Sequence, residues 1–333
     1  MPSSDEFSYP VQNLMDAETG YRPPGRGGGT PAERRRNAAL RLRARIFRTL
    51  RRFFEANGYL EVETPCRIPA PAPEVHVDAP PAGDWFLQAS PELCMKRLLA
   101  SGLRRIFQVC HCFRTGERGA RHLPEMTMLE WYAVGNDYRH LMDECEQLLR
   151  AVARELGRGD QIVYQGNEVS LANGWPRLTV EEAFDRYAPV SAAQALREGR
   201  FDEIMGLVIE PQLGRTQPVF LCDYPAACAA LARLKPDNPA VAERFELYVA
   251  GLELCNGFTE LVDVAEQRQR FEEALWQRRK LGKRAYPMPE SFLADLARMP
   301  AAAGNALGLD RLVMLFADAA TIDQVVAFTP ETL

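Results

Sequence analysis

Between two apolar stretches the chain reads Phe113-Arg114-Thr115-Gly116-Glu117-Arg118-Gly119-Ala120-Arg121-His122-Leu123-Pro124-Glu125. The flanking residues 106–113 and 126–132 are strand-like, so this segment is predicted to be the long loop of a β-hairpin. Arginine side chains at a hairpin mouth suit a polyphosphate, because a guanidinium pairs bidentately with phosphate oxygens. Taken as a charge run alone, the segment also fits a solvated loop.

A second segment carries carboxylates in apolar surroundings. It runs Phe245-Glu246-Leu247-Tyr248-Val249-Ala250-Gly251-Leu252-Glu253-Leu254-Cys255-Asn256-Gly257-Phe258-Thr259-Glu260-Leu261, with a glutamate at every seventh position. A buried carboxylate must be paired, protonated or bound to a cation. Carboxylates that converge on one cavity suit Mg²⁺, which takes oxygen ligands and bridges nucleotide phosphates. Ordinary ion pairing at strand edges is the alternative.

A third segment combines small residues with a charged pair at the start of an apolar helix. It reads Gly304-Asn305-Ala306-Leu307-Gly308-Leu309-Asp310-Arg311-Leu312. Small residues let the backbone come close to a ligand. A plain turn followed by a helix-starting aspartate is the alternative.

The bulk composition describes a soluble globular chain. It has 333 residues, 47% apolar and 26% charged, with a net charge of -5. No run approaches the roughly 18 apolar residues of a membrane span, and the first residues lack a signal-peptide core. Eight cysteines scattered through apolar segments predict free thiols in the cytosol. We therefore expect a cytoplasmic protein with no membrane association.

Two basic stretches, at residues 34–52 and 278–284, lie in helical patterns. We interpret them as solvated helix faces, with a dock for an acidic partner as the alternative. The negative net charge argues mildly against a dedicated tRNA binder, which usually carries a basic face.

The pattern along the chain predicts an α+β fold. Residues 1–31 are rich in Pro and Gly and are predicted to be a flexible tail. Helices are expected near 31–57, 90–102, 137–156 and 265–281, and strands near 59–64, 86–88, 106–113, 126–132, 245–252 and 253–261. Hairpins and long excursions join these strands, so an antiparallel β-sheet flanked by helices is predicted. Residues 160–240 carry no clear pattern.

Together the three segments resemble the motifs of class II aminoacyl-tRNA synthetases. The first resembles motif 2, which in lysyl enzymes reads Phe-Arg-Asn-Glu…Arg-His-Asn-Pro-Glu-Phe-Thr-Met-Leu-Glu. The third resembles motif 3, Gly-x-Gly-x-Gly-x-Asp-Arg, and the second resembles the lysine-site strands of lysyl-tRNA synthetase. The helix and strand that end at Pro65 resemble motif 1, the dimer-forming element. The resemblance covers residues 38–330 and implies a class II catalytic core over residues 32–333.

The resemblance implies ATP and Mg²⁺ as cofactors and assigns the catalytic roles to two arginines. Arg114 is expected to hold the α-phosphate and the lysine carboxylate, while Arg311 lies over the adenine. Arg121 and His122 steer the outer phosphates. Further residues expected at the ATP are Thr115, Gly116, Glu117, Met126, Glu253, Leu254 and Gly308. The Mg²⁺ ligands are expected to be Glu246 and Glu253.

The resemblance also implies an amino-acid site. Glu92 is expected to face the substrate amine, and Glu260 with Tyr132 to meet the distal ammonium. The other expected contacts are Ser90, Pro91, Leu123, Glu130, Asn256, Phe258 and Ala306. A carboxylate at the end of such a pocket rejects shorter or neutral side chains, which would leave it unpaired.

The chain departs from the lysyl pattern in ways that favour one branch. Too few residues precede motif 1 for an anticodon-binding domain, and Ala306 replaces the middle glycine of motif 3. Both features resemble the elongation factor P–(R)-β-lysine ligase family, which moves an activated lysine-type residue onto a lysine of that factor. Elongation factor P, lysine or (R)-β-lysine, and a homodimer without tRNA are the implied partners.

Other departures leave alternatives open. Thr115-Gly116 replaces the usual Asn-Glu, Leu123 stands where an asparagine touches the substrate, and Met126 replaces a stacking phenylalanine. A synthetase that charges tRNA, and a non-catalytic paralogue that binds an amino acid, are the competing hypotheses.

Overall fold

The computed structural model describes residues 30–172 and 174–333. The predicted tail therefore lies outside the described residues, apart from its last two positions. Thr30 caps the first helix, accepting a hydrogen bond from the Glu33 amide, and Pro31 begins it. The same Glu33 carboxylate accepts the Thr30 amide at 2.5 Å, so two otherwise unpaired donors are satisfied at this helix start.

Four helices lie within two residues of the predicted bounds 31–57, 90–102, 137–156 and 265–281, and the helix at Glu290–Leu296 was not predicted. They are α1 (Pro31–Ala56), α2 (Glu92–Ala100), α3 (Tyr138–Glu155), α4 (Val180–Tyr187), α5 (Ala192–Arg197), α6 (Phe201–Ile204), α7 (Val264–Lys280), α8 (Glu290–Leu296) and α9 (Leu309–Ala317). The helices α4 to α6, followed by a π-helix at Met205–Ile209, occupy the region that the sequence left unassigned.

The strands are β1 (Leu60–Glu61), β2 (Arg67–Ile68), β3 (Pro81–Ala82), β4 (Trp85–Leu87), β5 (Arg105–Phe113), β6 (Glu125–Val134), β7 (Gln161–Tyr164), β8 (Asn167–Ser170), β9 (Arg177–Thr179), β10 (Val219–Pro225), β11 (Val241–Val249), β12 (Leu252–Thr259) and β13 (Ala302–Gly308). Eight of them form the main sheet in the order β1-β5-β6-β13-β12-β11-β10-β9.

The centre of the sheet is antiparallel, as predicted, and the sheet is parallel only at its edges. The parallel pairs are β1 with β5 and β9 with β10. The predicted strand at 59–64 is shorter than expected, because only two residues pair with β5. The α+β prediction is confirmed.

Alternation along the strands separates the core from the site. On β6, Leu129 and Trp131 are fully buried in the core under α1, α3 and α9, while Glu130 and Tyr132 point to the opposite face. Successive side chains of a strand face opposite sides, so the same period places Asn256 and Phe258 of β12 beside them. Glu130, Tyr132, Asn256 and Phe258 therefore share one face of the sheet.

Candidate active site

A narrow inner pocket of about 90 Å³ opens on this face of the sheet. The neighbouring strands β6, β13 and β12 form its floor, and the start of α2 forms one wall. Its lining includes Ser90, Glu92, Arg114, Glu130, Tyr132, Asn256, Phe258, Gly304 and Ala306. Most side chains predicted to contact the amino acid thus lie together.

A buried lysine closes the end of this region. Lys96 Nζ lies 2.6 Å from Glu92 Oε1 and 2.5 Å from Glu260 Oε2. Burial alone would lower the pKa of Lys96, but the charges of Glu260 and Glu92 raise it overall, so the ammonium is retained. Glu260 does not itself line the inner pocket, because its carboxylate is turned to this lysine.

The carboxylates around the pocket have raised proton affinity. Burial, followed by the charge of Glu92, raises the pKa of Glu130 to about 7. Burial raises the pKa of Glu260 to about 8, against the opposing charge of Lys96. Glu130 Oε1 accepts from Ser90 Oγ at 2.6 Å, and its Oε2 accepts from the Tyr132 hydroxyl at 2.8 Å. The pocket is thus lined by hydrogen-bonded acidic side chains, which suits a substrate ammonium.

A larger charged cavity of about 340 Å³ adjoins the inner pocket. It is lined by cationic and acidic side chains together with the backbone of β13. Its lining includes Glu74, Arg114, Glu117, Arg121, His122, Leu123, Met126, Arg244, Glu246, Glu253, Leu254, Gly308 and Arg311. Four arginines around one cavity suit a polyanion such as a triphosphate.

The motif 3 arginine forms the centre of a hydrogen-bonded group in this cavity. Arg311 Nη1 donates to Glu253 Oε2 at 2.9 Å, and its Nη2 lies 2.5 Å from His122 Nε2. Burial, with the nearby Arg311 charge, lowers the pKa of His122, so the neutral imidazole accepts this hydrogen bond. Burial alone would raise the pKa of Glu253, but Arg311 lowers it overall. This carboxylate therefore stays ionised.

The two predicted metal ligands have different surroundings. Glu246 accepts from Arg244 Nη2 and from the Tyr248 hydroxyl, both at 2.6 Å. Both carboxylates also act on Glu210, where burial, followed by the charges of Glu253 and Glu246, raises the pKa to about 7. This excess of negative charge fits a divalent cation.

Protein side chains alone do not complete a metal site among residues 30–172 and 174–333, where no group of three or more Asp, Glu, His or Cys residues could hold an ion. Mg²⁺ commonly takes one or two carboxylates and completes its shell with phosphate oxygens and water. The pair Glu246 and Glu253 fits that mode of binding, with the nucleotide as the source of further ligands.

Arg114 lies at the junction of the two cavities. It lines both of them, together with Glu74, Met128, Asn256 and Ala306. Its Nε donates to the Ala89 carbonyl at 3.5 Å, and its Nη1 lies 3.6 Å from Glu117 Oε1. These long contacts leave the guanidinium available to a ligand at the junction.

Some predicted site residues lie elsewhere. Pro91 caps α2, while Thr115 and Gly116 are exposed in the turn after β5, and none of the three lines either cavity. Leu123, predicted at the amino acid, lines the charged cavity instead of the inner pocket. The two cavities bring together the other predicted residues except Glu260.

Motif 3 also ties the site to the first helix. Asp310 Oδ1 accepts from Arg43 Nη1 of α1 at 2.5 Å, and its Oδ2 accepts from the Thr127 amide of β6 at 2.8 Å. Arg43 Nη2 in turn donates to Thr127 Oγ1 at 2.7 Å. The predicted dimer-forming helix is therefore linked directly to the strand that follows the motif 2 loop.

The sequence did not single out several charged residues of the site. They are Glu74, Lys96, Glu210 and Arg244. The basic stretch at 278–284 was interpreted as a solvated helix face, and for Arg278 this was wrong. Arg278 is fully buried, and its guanidinium donates to the Glu74 and Val77 carbonyls at 2.7 and 3.0 Å. The Pro- and Ala-rich loop at residues 67–83 was the signal that could have revealed this burial. A loop without regular secondary structure must form its backbone hydrogen bonds with other parts of the protein.

Across residues 30–172 and 174–333, no helix combines the length and the apolar character that a membrane crossing requires.

The family model for tRNA synthetases class II (D, K and N) matches residues 31–332. The chain therefore belongs to the class II tRNA synthetases, and the predicted fold class is confirmed. Two kinds of relative share its sequence. One is lysine–tRNA ligase, and the example from Magnetococcus marinus is 35% identical over 315 residues. The aligned part is 87% of this chain and 63% of that relative, so the chain spans less than two thirds of its length.

The other kind is elongation factor P–(R)-β-lysine ligase. The Vibrio cholerae protein is 38% identical over 87% of this chain and 94% of its own length. The Pectobacterium atrosepticum protein is 40% identical over 88% of this chain and 95% of its own length. The resemblance to that branch is confirmed.

Proposed function

We propose that this chain is an AMP-forming ligase. It activates lysine or (R)-β-lysine with ATP as an aminoacyl-adenylate and transfers the acyl group to a lysine side chain of elongation factor P. One observation carries the proposal. Arg114 lines both the electronegative inner pocket and the arginine-rich charged cavity, so it lies where an amino-acid carboxylate would meet a nucleotide phosphate.

The residues around that junction suit adenylation. Attack of a carboxylate on the α-phosphorus brings two anions together and requires little covalent help from the protein. Arg114 at the junction and Arg311 in the charged cavity offer fixed positive charge for the developing transition state. When bound by Glu246, Glu253 and phosphate oxygens, Mg²⁺ would supply further neutralisation of the phosphates.

The inner pocket supports selection of an amino acid with a distal amine. Glu92, Glu130 and Glu260 supply three buried or nearly buried carboxylates, and two of them, Glu92 and Glu260, share the ammonium of Lys96. A substrate ammonium would balance this charge, whereas a neutral side chain would leave the carboxylates unpaired. The small volume of the pocket favours a slim, unbranched chain.

The choice of acceptor rests on the extent of the match. The chain covers 94–95% of the elongation factor P ligases and 63–64% of the lysine–tRNA ligases. We further propose that residues 32–333 act as one catalytic domain, in the cytosol, as a homodimer formed through α1. Charging of tRNA and amino-acid binding without catalysis remain the alternatives to be tested.

Intact mass spectrometry tests the acceptor directly. Elongation factor P from the same organism is incubated with the protein, Mg-ATP and either α-lysine or (R)-β-lysine, beside a tRNA-charging reaction. We expect a mass gain on the factor, release of AMP and uncharged tRNA. Charged tRNA with an unmodified factor would establish the synthetase, and no AMP from any reaction would establish the non-catalytic binder.

A further inference from the structure

Glu74 occupies a position that none of the assigned roles uses. It lies in the loop between β2 and β3 and lines the inner pocket and the charged cavity. It also lines an outer groove of about 860 Å³, which we define by residues 73–76, residues 226–231 and the exposed side of α7. Within the described part of the chain, Glu74 alone borders all three spaces. The outer groove shares Glu74, Ala230 and Leu231 with the inner pocket and shares Glu74 with the charged cavity, so Glu74 borders both routes from the groove to Arg114.

The Glu74 carboxylate is free while its backbone is held. Among residues 30–172 and 174–333, the Glu74 carboxylate forms no hydrogen bond or ion pair. By contrast, Glu92 pairs with Lys96 and Glu253 pairs with Arg311. Arg278 Nη1 donates to the Glu74 carbonyl at 2.7 Å, and the Arg278 guanidinium lies 4.0 Å from the centre of the Tyr286 ring. An unoccupied carboxylate on a fixed backbone is the arrangement that a proton acceptor needs.

The surroundings of Glu74 favour proton uptake. Burial and then the charge of Glu92 raise its pKa, against the opposing charges of Arg114 and Arg244. Glu117 of the motif 2 loop adds to the rise, while Arg278 of α7 contacts the backbone carbonyl of Glu74. The balance moves this carboxylate toward the range in which it can both accept and release a proton.

Transfer to a lysine requires such a group. A lysine side chain is an ammonium near neutral pH, and only the neutral amine has the electron pair that attacks a carbonyl carbon. We propose that Glu74 is a catalytic residue of the transfer step, accepting the proton from an acceptor-protein lysine that enters through the outer groove. The inference rests on the proposed function.

The transfer of the acyl group to the lysine needs no reactant beyond the lysine, the aminoacyl-adenylate and Glu74. The ammonium gives one proton to the Glu74 carboxylate, and the nitrogen electron pair forms the bond to the carbonyl carbon of the aminoacyl-adenylate. The carbon–oxygen bond to the phosphate then breaks, and AMP leaves with that electron pair. The second nitrogen proton passes to the departing phosphate or to water, which leaves a neutral amide.

The test compares two nucleophiles on preformed adenylate. Wild-type protein and Glu74→Gln are loaded with amino acid and Mg-ATP, then mixed at pH 7 with elongation factor P or with hydroxylamine, which is largely neutral at that pH. We expect the ratio of transfer to the factor over transfer to hydroxylamine to fall about 100-fold in Glu74→Gln. Raising the pH should restore the ratio in the variant, because solvent then deprotonates the lysine.

Two further variants keep the result interpretable. Glu74→Asp retains a carboxylate and should retain most of the ratio, while Glu168→Gln removes an exposed carboxylate on β8 and should not change it. An unchanged ratio in Glu74→Gln overturns the proposal and leaves the adenylate phosphate as the proton acceptor. An equal loss with both nucleophiles also overturns it, because Glu74 would then only shape the site. If the wild-type protein forms no adenylate, it is the proposed function that fails.

Discussion

The ammonium of Lys96 lies 2.5 Å from the carboxylate of Glu260, and both side chains are at most 1% exposed. Sequence comparison assigned Glu260 to the distal ammonium of the substrate, and that role stays a prediction. In the structure this carboxylate already has a cation, so an arriving ammonium would share it with Lys96. A substrate ammonium that reaches Glu260 would therefore bind beside an existing internal ion pair.

Replacement of Lys96 by methionine should destabilise the fold. The change leaves Glu92 and Glu260 buried without their cation, and breaking such a pair costs about 3 kcal/mol. The free energy of unfolding, from denaturant titration at pH 9, measures the loss, because Glu260 with its pKa of about 8 is then mainly ionised. Lys280→Met, at the exposed end of α7, is the matched control. A change below about 1 kcal/mol in Lys96→Met would show that the two glutamates are neutral in the folded protein.

The stability of the unliganded protein should fall as the pH rises from about 5 to 8. Burial raises the pKa values of Glu130 and Glu260 to about 7 and about 8, so the folded state holds protons that the unfolded state has released. Stability from a raised carboxyl pKa is complete below the unfolded pKa and is lost as the pH passes the folded pKa.

Glu130→Gln isolates one of these groups. Its amide can keep the contact with Tyr132 and does not titrate, so the stability lost between pH 5 and 8 should shrink by about 2 kcal/mol. Denaturant midpoints at several pH values measure the slope. The same slope in both proteins would contradict the assignment of the raised pKa to Glu130.

Arg311→Ala should abolish adenylate formation and leave the fold intact. The guanidinium faces the charged cavity, and loss of one such charge-stabilising donor typically lowers a rate at least 100-fold. Amino-acid-dependent pyrophosphate exchange measures the activity, and circular dichroism measures the fold. Arg298→Ala, whose side chain is 69% exposed, is the control. Normal AMP production by Arg311→Ala would refute its catalytic role.

Gly304→Ala should impair the inner pocket selectively. A Cβ atom at Gly304 would lie 2.2 Å from Tyr132 Cε1 and 2.5 Å from Glu260 Oε1, so both side chains must move. We expect the KM for the amino acid to rise about tenfold or more, since a distortion of 1–3 kcal/mol falls on that site. The KM for ATP should change far less. At Gly206 a Cβ atom meets nothing within 4 Å, so Gly206→Ala should match the wild-type protein.

The sequence was most informative where its pattern was periodic or its motif specific. Strands β5 and β6 differ from the predicted bounds by one or two residues, and the charged loop between them lies at the predicted cavity. Both strands are apolar and buried along most of their length, because one face packs into the core and the other lines the site.

The remaining features depend on contacts between distant parts of the chain. Lys96 stands in an amphipathic helix, where a lysine is normally solvated, and only the approach of Glu260 from the end of β12 reveals it as buried. Glu74 lies in a Pro- and Ala-rich loop whose position depends on Arg278, 204 residues later in the chain. Around residues 160–240, short helices and a π-helix replace any sustained period.

The position of β13 in the sheet has a consequence for the order in which the chain is made. This strand lies between β6 and β12, yet it is the last strand of the chain. Until the ribosome has released residues 302–308, the main sheet exists as two halves with unpaired edges at β6 and β12. Exposed edges of this kind invite pairing with other chains. The nascent protein is thus prone to aggregation until β13 has been made, while α1 still lacks its contact with Asp310.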